Sequence, residues 1–348
     1  MTTIGKNRGL ARLADREGHF TMVALDQRPP LFAAIAKARG VSPGQVTFED
    51  MLKAKRLLVE ALAQDASSML FDPNFAIPAA IDILPKKTGL IVTLEDHRVE
   101  ETPRGRKSRA IENWSVAKIR QLGADGVKVL AWYRPDAGSD VNEHQKDFVR
   151  TVGEDCRRHD IPYILELLVY PFPGSEKYTA DYVESPDKRA DLVIGSVREF
   201  AKPEYRVDLF KLETPLPAAS LPPLDGGTAA RKAASQFEAI GSICSDAGIP
   251  WVMLSGGAEP EQFERVLSYS YAAGAQGFLA GRTIWLNAVE NGFPDSGKVL
   301  KALHEDGRKR LIRLNELTAR QARPWTPVYA KPTAKAEGDF AGSYGASA

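Results

Sequence analysis

Short runs rich in β-branched and aromatic residues alternate along the chain with longer stretches in which apolar positions recur every three or four residues. That alternation is expected of a parallel sheet with helical crossovers. Eight such runs can be counted: 20–26 (FTMVALD), 67–73 (SSMLFDP), 90–95 (LIVTLE), 126–130 (GVKVL), 162–167 (PYILEL), 207–212 (VDLFKL), 250–255 (PWVMLS) and 277–280 (GFLA). Helical periodicity covers intervening stretches such as 48–64, 114–122, 143–158, 188–201, 229–247 and 259–273. Eight strand-and-helix units predict an α/β fold, a single closed (β/α)8 TIM barrel, with an open doubly wound sheet as the main rival. The barrel is assigned to residues 20–326, an N-terminal segment to 1–19, and a flexible tail of small and polar residues to 327–348. Residues 169–187, rich in proline and aromatics, read as a long loop after the fifth strand.

Two lysines interrupt runs that a parallel strand would keep apolar, Lys128 in GVKVL and Lys211 in VDLFKLETP. Side chains alternate between the faces of a strand, so Leu209, Lys211 and Glu213 share one face and Phe210 and Leu212 the other. The same rule groups Gly126 with Lys128, Ile164 with Glu166, and Ala24 with Asp26. Four strands thus each offer an inward charge near the carboxyl end, where barrel enzymes build their active sites. A buried lysine commonly gives up its proton, because burial disfavours the ammonium, and the neutral amine is a nucleophile. The expectation is an uncharged Lys211 that attacks a ketone while a nearby acid protonates the departing hydroxyl. The resulting iminium withdraws electrons from the adjacent carbon–carbon bond. A second, cationic lysine favours the neutral form of the first and holds substrate oxygens. Two snorkelling lysines paired with surface carboxylates are the structural alternative, which four charges at matching depth disfavour.

The seventh run leads into Ser255, Gly256 and Gly257, and the eighth into Gly281 and Arg282. Barrels often hold phosphate on these two loops, where glycines let backbone N–H groups approach the anion and an arginine adds a bidentate contact. The histidines His19, His97, His144, His159 and His304 show no HxH or HxxxH spacing, so no metal or other cofactor is expected. Asp72 ends the second run and could touch the pocket, although an Asp-Pro step is also a common way out of a strand.

Lys+Arg of 46 against Asp+Glu of 45 leaves a formal charge of +1, which supplies no general field for nucleic acid or a membrane surface. The basic loop with Arg98, Arg104, Arg106, Lys107 and Arg109 also carries Glu100 and Glu101, and reads as solvated and partly ion-paired. The two cysteines, Cys156 and Cys244, form no CxxC pair, and no apolar leader or 18-residue apolar stretch occurs. A cytoplasmic setting follows as an expectation. The partner expected is a small sugar phosphate, and exposed barrel helices leave room for a homo-oligomer.

In the order ALDQR, LFDP, NWSVAKIRQLGADGVKVLAWY, ILELL, EFAKPEYRVDLFKLETP, WVMLSGG and FLAGRTIW, the chain resembles the class I tagatose-1,6-bisphosphate aldolase family, of the DeoC/LacD type among Schiff-base barrel aldolases. The resemblance implies reversible, metal-independent cleavage of a ketose 1,6-bisphosphate to dihydroxyacetone phosphate and glyceraldehyde 3-phosphate. It further implies Lys211 as the imine lysine, Glu166 as acid and base on the carbinolamine, and Asp26 as base on the hydroxyl whose carbon becomes the aldehyde. Lys128 would bind substrate oxygens and Gln27 orient them, with Ser255, Gly256, Gly257, Gly281 and Arg282 around the ketone-side phosphate. Arg134 in AWYRPD and the basic loop depart from the family pattern. A sulfofructose phosphate is therefore an alternative substrate, and a catalytically weak sugar-phosphate sensor an alternative role. A dehydratase or transaldolase using the same imine is a third possibility.

Overall fold

The computed structural model describes residues 3–172, 186–328 and 334–344. Eight parallel strands close into a barrel: β1 (Phe20–Leu25), β2 (Ser68–Phe71), β3 (Gly89–Thr93), β4 (Gly126–Trp132), β5 (Tyr163–Leu168), β6 (Leu209–Leu212), β7 (Trp251–Leu254) and β8 (Gly277–Ala280). Each strand pairs with its neighbour in the chain, and β8 closes on β1. The open sheet is therefore excluded. The strand positions match the eight apolar runs, but Asp26, Pro73, Glu95 and Ser255 lie just past strand ends rather than inside them.

Alternation sorts the strand residues cleanly. Val23, Leu25, Val127, Val129, Leu165, Leu167, Phe210 and Leu212 face outward and pack beneath the helices. Met22, Ala24, Leu70, Ile91, Ile164, Leu209, Val252 and Leu279 fill the interior. With the outward set fixed by the helices, Lys128, Glu166 and Lys211 have only the inside left to them.

The main layer of helices is α2 (Pro29–Arg39), α3 (Phe48–Leu62), α4 (Ala76–Ala80), α5 (Val116–Gln121), α6 (Ser139–Arg158), α7 (Pro186–Phe200), α8 (Thr228–Ala247), α9 (Pro260–Ala272) and α10 (Arg282–Gly292). Two more, α11 (Ser296–Ala302) and α12 (Arg308–Gln321), follow α10, and a short α13 (Asp339–Ser343) lies in the C-terminal segment. Helix α3 shows why these segments wind where they do. Thr47 and Asp50 form a reciprocal capping box at its start, and Met51, Ala54, Lys55, Leu58 and Leu62 make one buried stripe. The long loop expected at 169–187 falls mostly on residues 173–185, outside the described residues, and α7 begins at Pro186.

Two elements lie outside the sequence expectations. Residues 1–19, set apart from the barrel, contain α1 (Ile4–Leu13), whose Leu10 and Leu13 join the interior cluster from the amino-terminal end of the strands. Lys6 anchors this helix on the buried carboxylate of Asp208 at 2.7 Å. The basic loop forms a two-stranded antiparallel ribbon of Glu100–Thr102 and Gly105–Lys107.

Candidate active site

The carboxyl ends of the strands open on a cavity of about 630 Å³. Asp26, Gln27, Lys128, Glu166, Lys211, Ser255, Gly256, Gly257, Gly281 and Arg282 all line this one cavity. Register explains the convergence. Glu166 and Lys211 are directly paired across β5 and β6, and Leu130, two residues beyond Lys128 on β4, is paired with Glu166.

Lys211 Nζ lies 2.9 Å from Glu166 Oε2, and the same oxygen lies 2.7 Å from Lys128 Nζ. Lys128 Nζ also meets Asp26 Oδ2 at 2.8 Å and Glu95 Oε1 at 2.6 Å. The five side chains are each less than a tenth exposed. Lys128 is the cationic lysine that the sequence led one to expect. Burial opposes its ammonium, but Asp26, Glu166 and Glu95 together overcome that penalty and raise its pKa well above that of free lysine. Asp26 is the mirror case: burial opposes its carboxylate, yet Lys128, Lys211 and Arg28 hold its pKa well below the ordinary value. Lys128 therefore stays a cation and Asp26 an anion across the neutral range. The point on which three carboxylates converge is filled by Lys128 Nζ itself.

Glu213, two residues beyond Lys211, also lines the cavity. It accepts from Val169 N–H at 2.6 Å and from Arg189 at 2.7 Å. Burial outweighs these contacts and pushes its carboxyl up to about 7.

In the turn after β7, the neighbour of β6, Gly256 and Gly257 take left-handed backbone conformations, with φ of 59° and 89°. Arg282 donates to the Gly256 carbonyl at 2.8 Å. Its guanidinium lies so near Gly257 that a Cβ there would come within 3.1 Å of Arg282 Cζ. A Cβ on Gly281 would meet the Ala24 carbonyl at 2.8 Å and Gln27 Nε2 at 2.9 Å, so the close approach of these groups requires glycine. Gly281 also caps α10 without any side-chain hydrogen bond, leaving the helix start facing the cavity.

Sequence reasoning missed Glu95 and Arg28. Glu95 was discoverable, since Ile91, Thr93 and Glu95 follow the inward alternation of β3. Arg28 was not, because it sits in the turn before α2, where no periodicity applies. It is 3% exposed and lines the cavity; one nitrogen donates to the Glu95 carbonyl at 3.3 Å, while Nε and Nη1 have no partner among the described residues. Gln27 Oε1 is buried and unpartnered as well.

The basic side chains that departed from the family pattern do not line the cavity, although Arg106 stacks on Trp132, which does. Arg98 and Arg109 pair with Asp96, Arg104 and Lys107 with Asp140, and Arg106 with Glu101. Arg134 binds Asp136 and the Tyr170 carbonyl and stacks on Phe172, with its guanidinium 3.8 Å from the ring centre. His97 does line the cavity; burial, then the charge of Arg28, lowers its pKa. Asp72 turns away, bonding Lys55 at 2.8 Å and the backbone N–H groups of Asn74 and Phe75.

Comparison with known proteins gives a consistent result. A tagatose 1,6-diphosphate aldolase of Lactococcus lactis is 28% identical over 92% of this chain and 97% of its own length. Tagatose 1,6-diphosphate aldolase 2 of Enterococcus faecalis is 30% identical over 93% of this chain and 96% of its own. Among solved structures, fructose-bisphosphate aldolase from Plasmodium falciparum superposes with a TM-score of 0.59 at 12% identity, covering 91% of this chain and 94% of that one. A Schiff-base-forming fructose-1,6-bisphosphate aldolase does so with a TM-score of 0.55 at 17% identity, over 90% and 99%. Among the described residues no helix is long and apolar enough to cross a membrane. Since the family model described as DeoC/LacD family aldolase matches residues 21–287, nearly the whole barrel with every residue of the cavity wall discussed above, the chain belongs to that family of aldolases.

Proposed function

We propose that this protein is a class I aldolase that reversibly cleaves a ketose 1,6-bisphosphate, such as tagatose 1,6-bisphosphate, to dihydroxyacetone phosphate and glyceraldehyde 3-phosphate. The observation that carries this reading is the shared Glu166 oxygen, 2.9 Å from Lys211 Nζ and 2.7 Å from Lys128 Nζ at the closed end of the cavity. A proton passed from Lys211 to Glu166 leaves a neutral amine, which adds to the substrate carbonyl. Glu166 then returns the proton to the carbinolamine hydroxyl, which departs as water and leaves an iminium. Asp26, held as an anion, takes the proton of the hydroxyl on the carbon that becomes the aldehyde. The electrons of the breaking carbon–carbon bond flow into the iminium and give an enamine; reprotonation and hydrolysis release the ketone product and restore Lys211.

Lys128 remains charged throughout and binds substrate oxygens, with Gln27 orienting them. Ser255, Gly256, Gly257, Gly281, Arg282 and the start of α10 form the cradle for the ketone-side phosphate. The two nitrogens of Arg28 without a partner among the described residues suit a second anion, and the relatives named above as tagatose 1,6-diphosphate aldolases supply the substrate class.

Borohydride reduction in the presence of dihydroxyacetone phosphate should add covalent mass at Lys211, and Lys211→Met should remove both the adduct and cleavage in a coupled assay. No adduct at Lys211, together with cleavage abolished by EDTA, would overturn the reading. Running sulfofructose 1-phosphate beside the bisphosphates identifies the distal anion.

A further inference from the structure

Lys55 is a lysine with no access to solvent, in the apolar stripe of α3, behind the wall of the cavity rather than in it. Its ammonium has three acceptors: the Leu25 carbonyl, the Gln27 carbonyl at 3.0 Å and Asp72 Oδ2 at 2.8 Å. Those two carbonyls flank Asp26.

The need for this donor follows from the sheet. Odd-numbered carbonyls of β1 face β2, beginning with Thr21, which accepts from Ser67 N–H. The register advances in step, Val23 opposite Met69 and Leu25 opposite Phe71. Parallel ladders are slanted, so that a carbonyl accepts from the residue after its opposite number, and the next donor in line for Gln27 is Asn74 N–H, which is given instead to Asp72 Oδ1. The sheet therefore stops supplying donors to β1 where Asp26 and Gln27 begin, and the Lys55 ammonium takes over. Asp72 completes the arrangement, because it balances the charge of Lys55 and its carboxylate turns back to cap Asn74, Phe75 and Ala76. On the far side the Ala24 carbonyl accepts from Trp285 Nε1 at 3.3 Å. The strand end is thus held from both flanks by side chains.

We propose that Lys55 is a positioning residue for carbon–carbon cleavage, tying down the carbonyls on either side of Asp26 so that Asp26 and Gln27 are presented to the substrate. This rests on the roles proposed for Lys211 and Asp26. It separates two steps. Imine formation with dihydroxyacetone phosphate does not use Asp26, since that ketone lacks the hydroxyl on which Asp26 acts, whereas cleavage of the full ketose does.

The test compares wild type, Lys55→Met and Leu311→Ala, the last being a cavity variant in the outer helix α12. Lys55→Met should trap dihydroxyacetone phosphate at Lys211 within about twofold of wild type, yet lose about tenfold or more in kcat for tagatose 1,6-bisphosphate cleavage, as misplacement by an ångström allows. Leu311→Ala should lower the melting temperature and keep kcat below it. Should Lys55→Met fail to fold because Asp72 is left unpaired, the double variant Lys55→Met with Asp72→Asn removes both charges and poses the same question. Wild-type kcat in the Lys55 variant, or trapping that falls in step with kcat, overturns the proposal. No trapping in wild type instead overturns the assignment of Lys211 on which it rests.

Discussion

At the scale of single residues the centre of the cavity is decided by a contest between burial and charge. An isolated ammonium in such a place would be driven neutral, and an isolated carboxylate likewise. Here the two lysines lie within 3 Å of carboxylates instead, Lys128 beside Asp26, Glu95 and Glu166 and Lys211 beside Glu166. Glu213 is the group whose balance tips the other way, with a folded pKa of about 7 against an ordinary 4.5. The native state then binds this proton more tightly than the unfolded chain, so stability falls as pH rises from about 4.5 through about 7. Urea unfolding across that range should show the decline in wild type and a shallower one in Glu213→Gln; equal slopes would show that Glu213 does not titrate there. Strand residues of the site were legible in the sequence, because a two-residue alternation tells inside from outside. Arg28 and Lys55 were not. A turn has no period, and a lysine in a helical stripe shows its purpose only beside the carbonyls it binds.

At the scale of elements, register does the work that alternation cannot. Pairing Glu166 with Lys211 places two side chains side by side that are 45 positions apart in the chain. Helix α1 shows a second kind of long-range fit. A Cβ on Gly9 would lie 2.6 Å from Pro162 and 2.7 Å from the Asp125 carbonyl, so the helix lies against the barrel only because that position is bare. Gly9→Val should therefore cost about 2 kcal/mol or more, as overpacking typically does, seen as a lower urea midpoint with an unchanged m value. The helix carries too few apolar residues to announce itself, and its hydrophobic partners Met22, Leu70 and Leu209 lie on separate strands. The ribbon at 100–107 was equally hidden, since its strands are three residues long and polar.

At the scale of the molecule, the arrangement is a closed barrel with its charged centre at one end and α1 beneath the other. We propose that residues 327–348 are a tail, and that the part beyond Val328, whose carbonyl accepts from Asn7, is not needed by this arrangement. The described stretch of that part, residues 334–344, is exposed, and it touches the body through Tyr344, whose hydroxyl donates to Asp160 and accepts from Gly5 N–H. Exposed contacts of that kind contribute about 0–1 kcal/mol. Truncation after Val328 should leave kcat unchanged and the melting temperature within a few degrees, by scanning calorimetry; a large loss of either would make the tail part of the fold.

The sequence by itself determined the number of barrel strands, the face each of their side chains takes and the end of the barrel that carries the charges, because all three follow from periodicities of two and 3.6 residues that are written locally. Tertiary structure alone decided which three carboxylates surround Lys128, that Glu166 serves two lysines, and that Lys55 supports the strand end behind Asp26. Those properties are set by distances of under 3 Å between residues far apart in the chain, and such distances exist only once the barrel has closed.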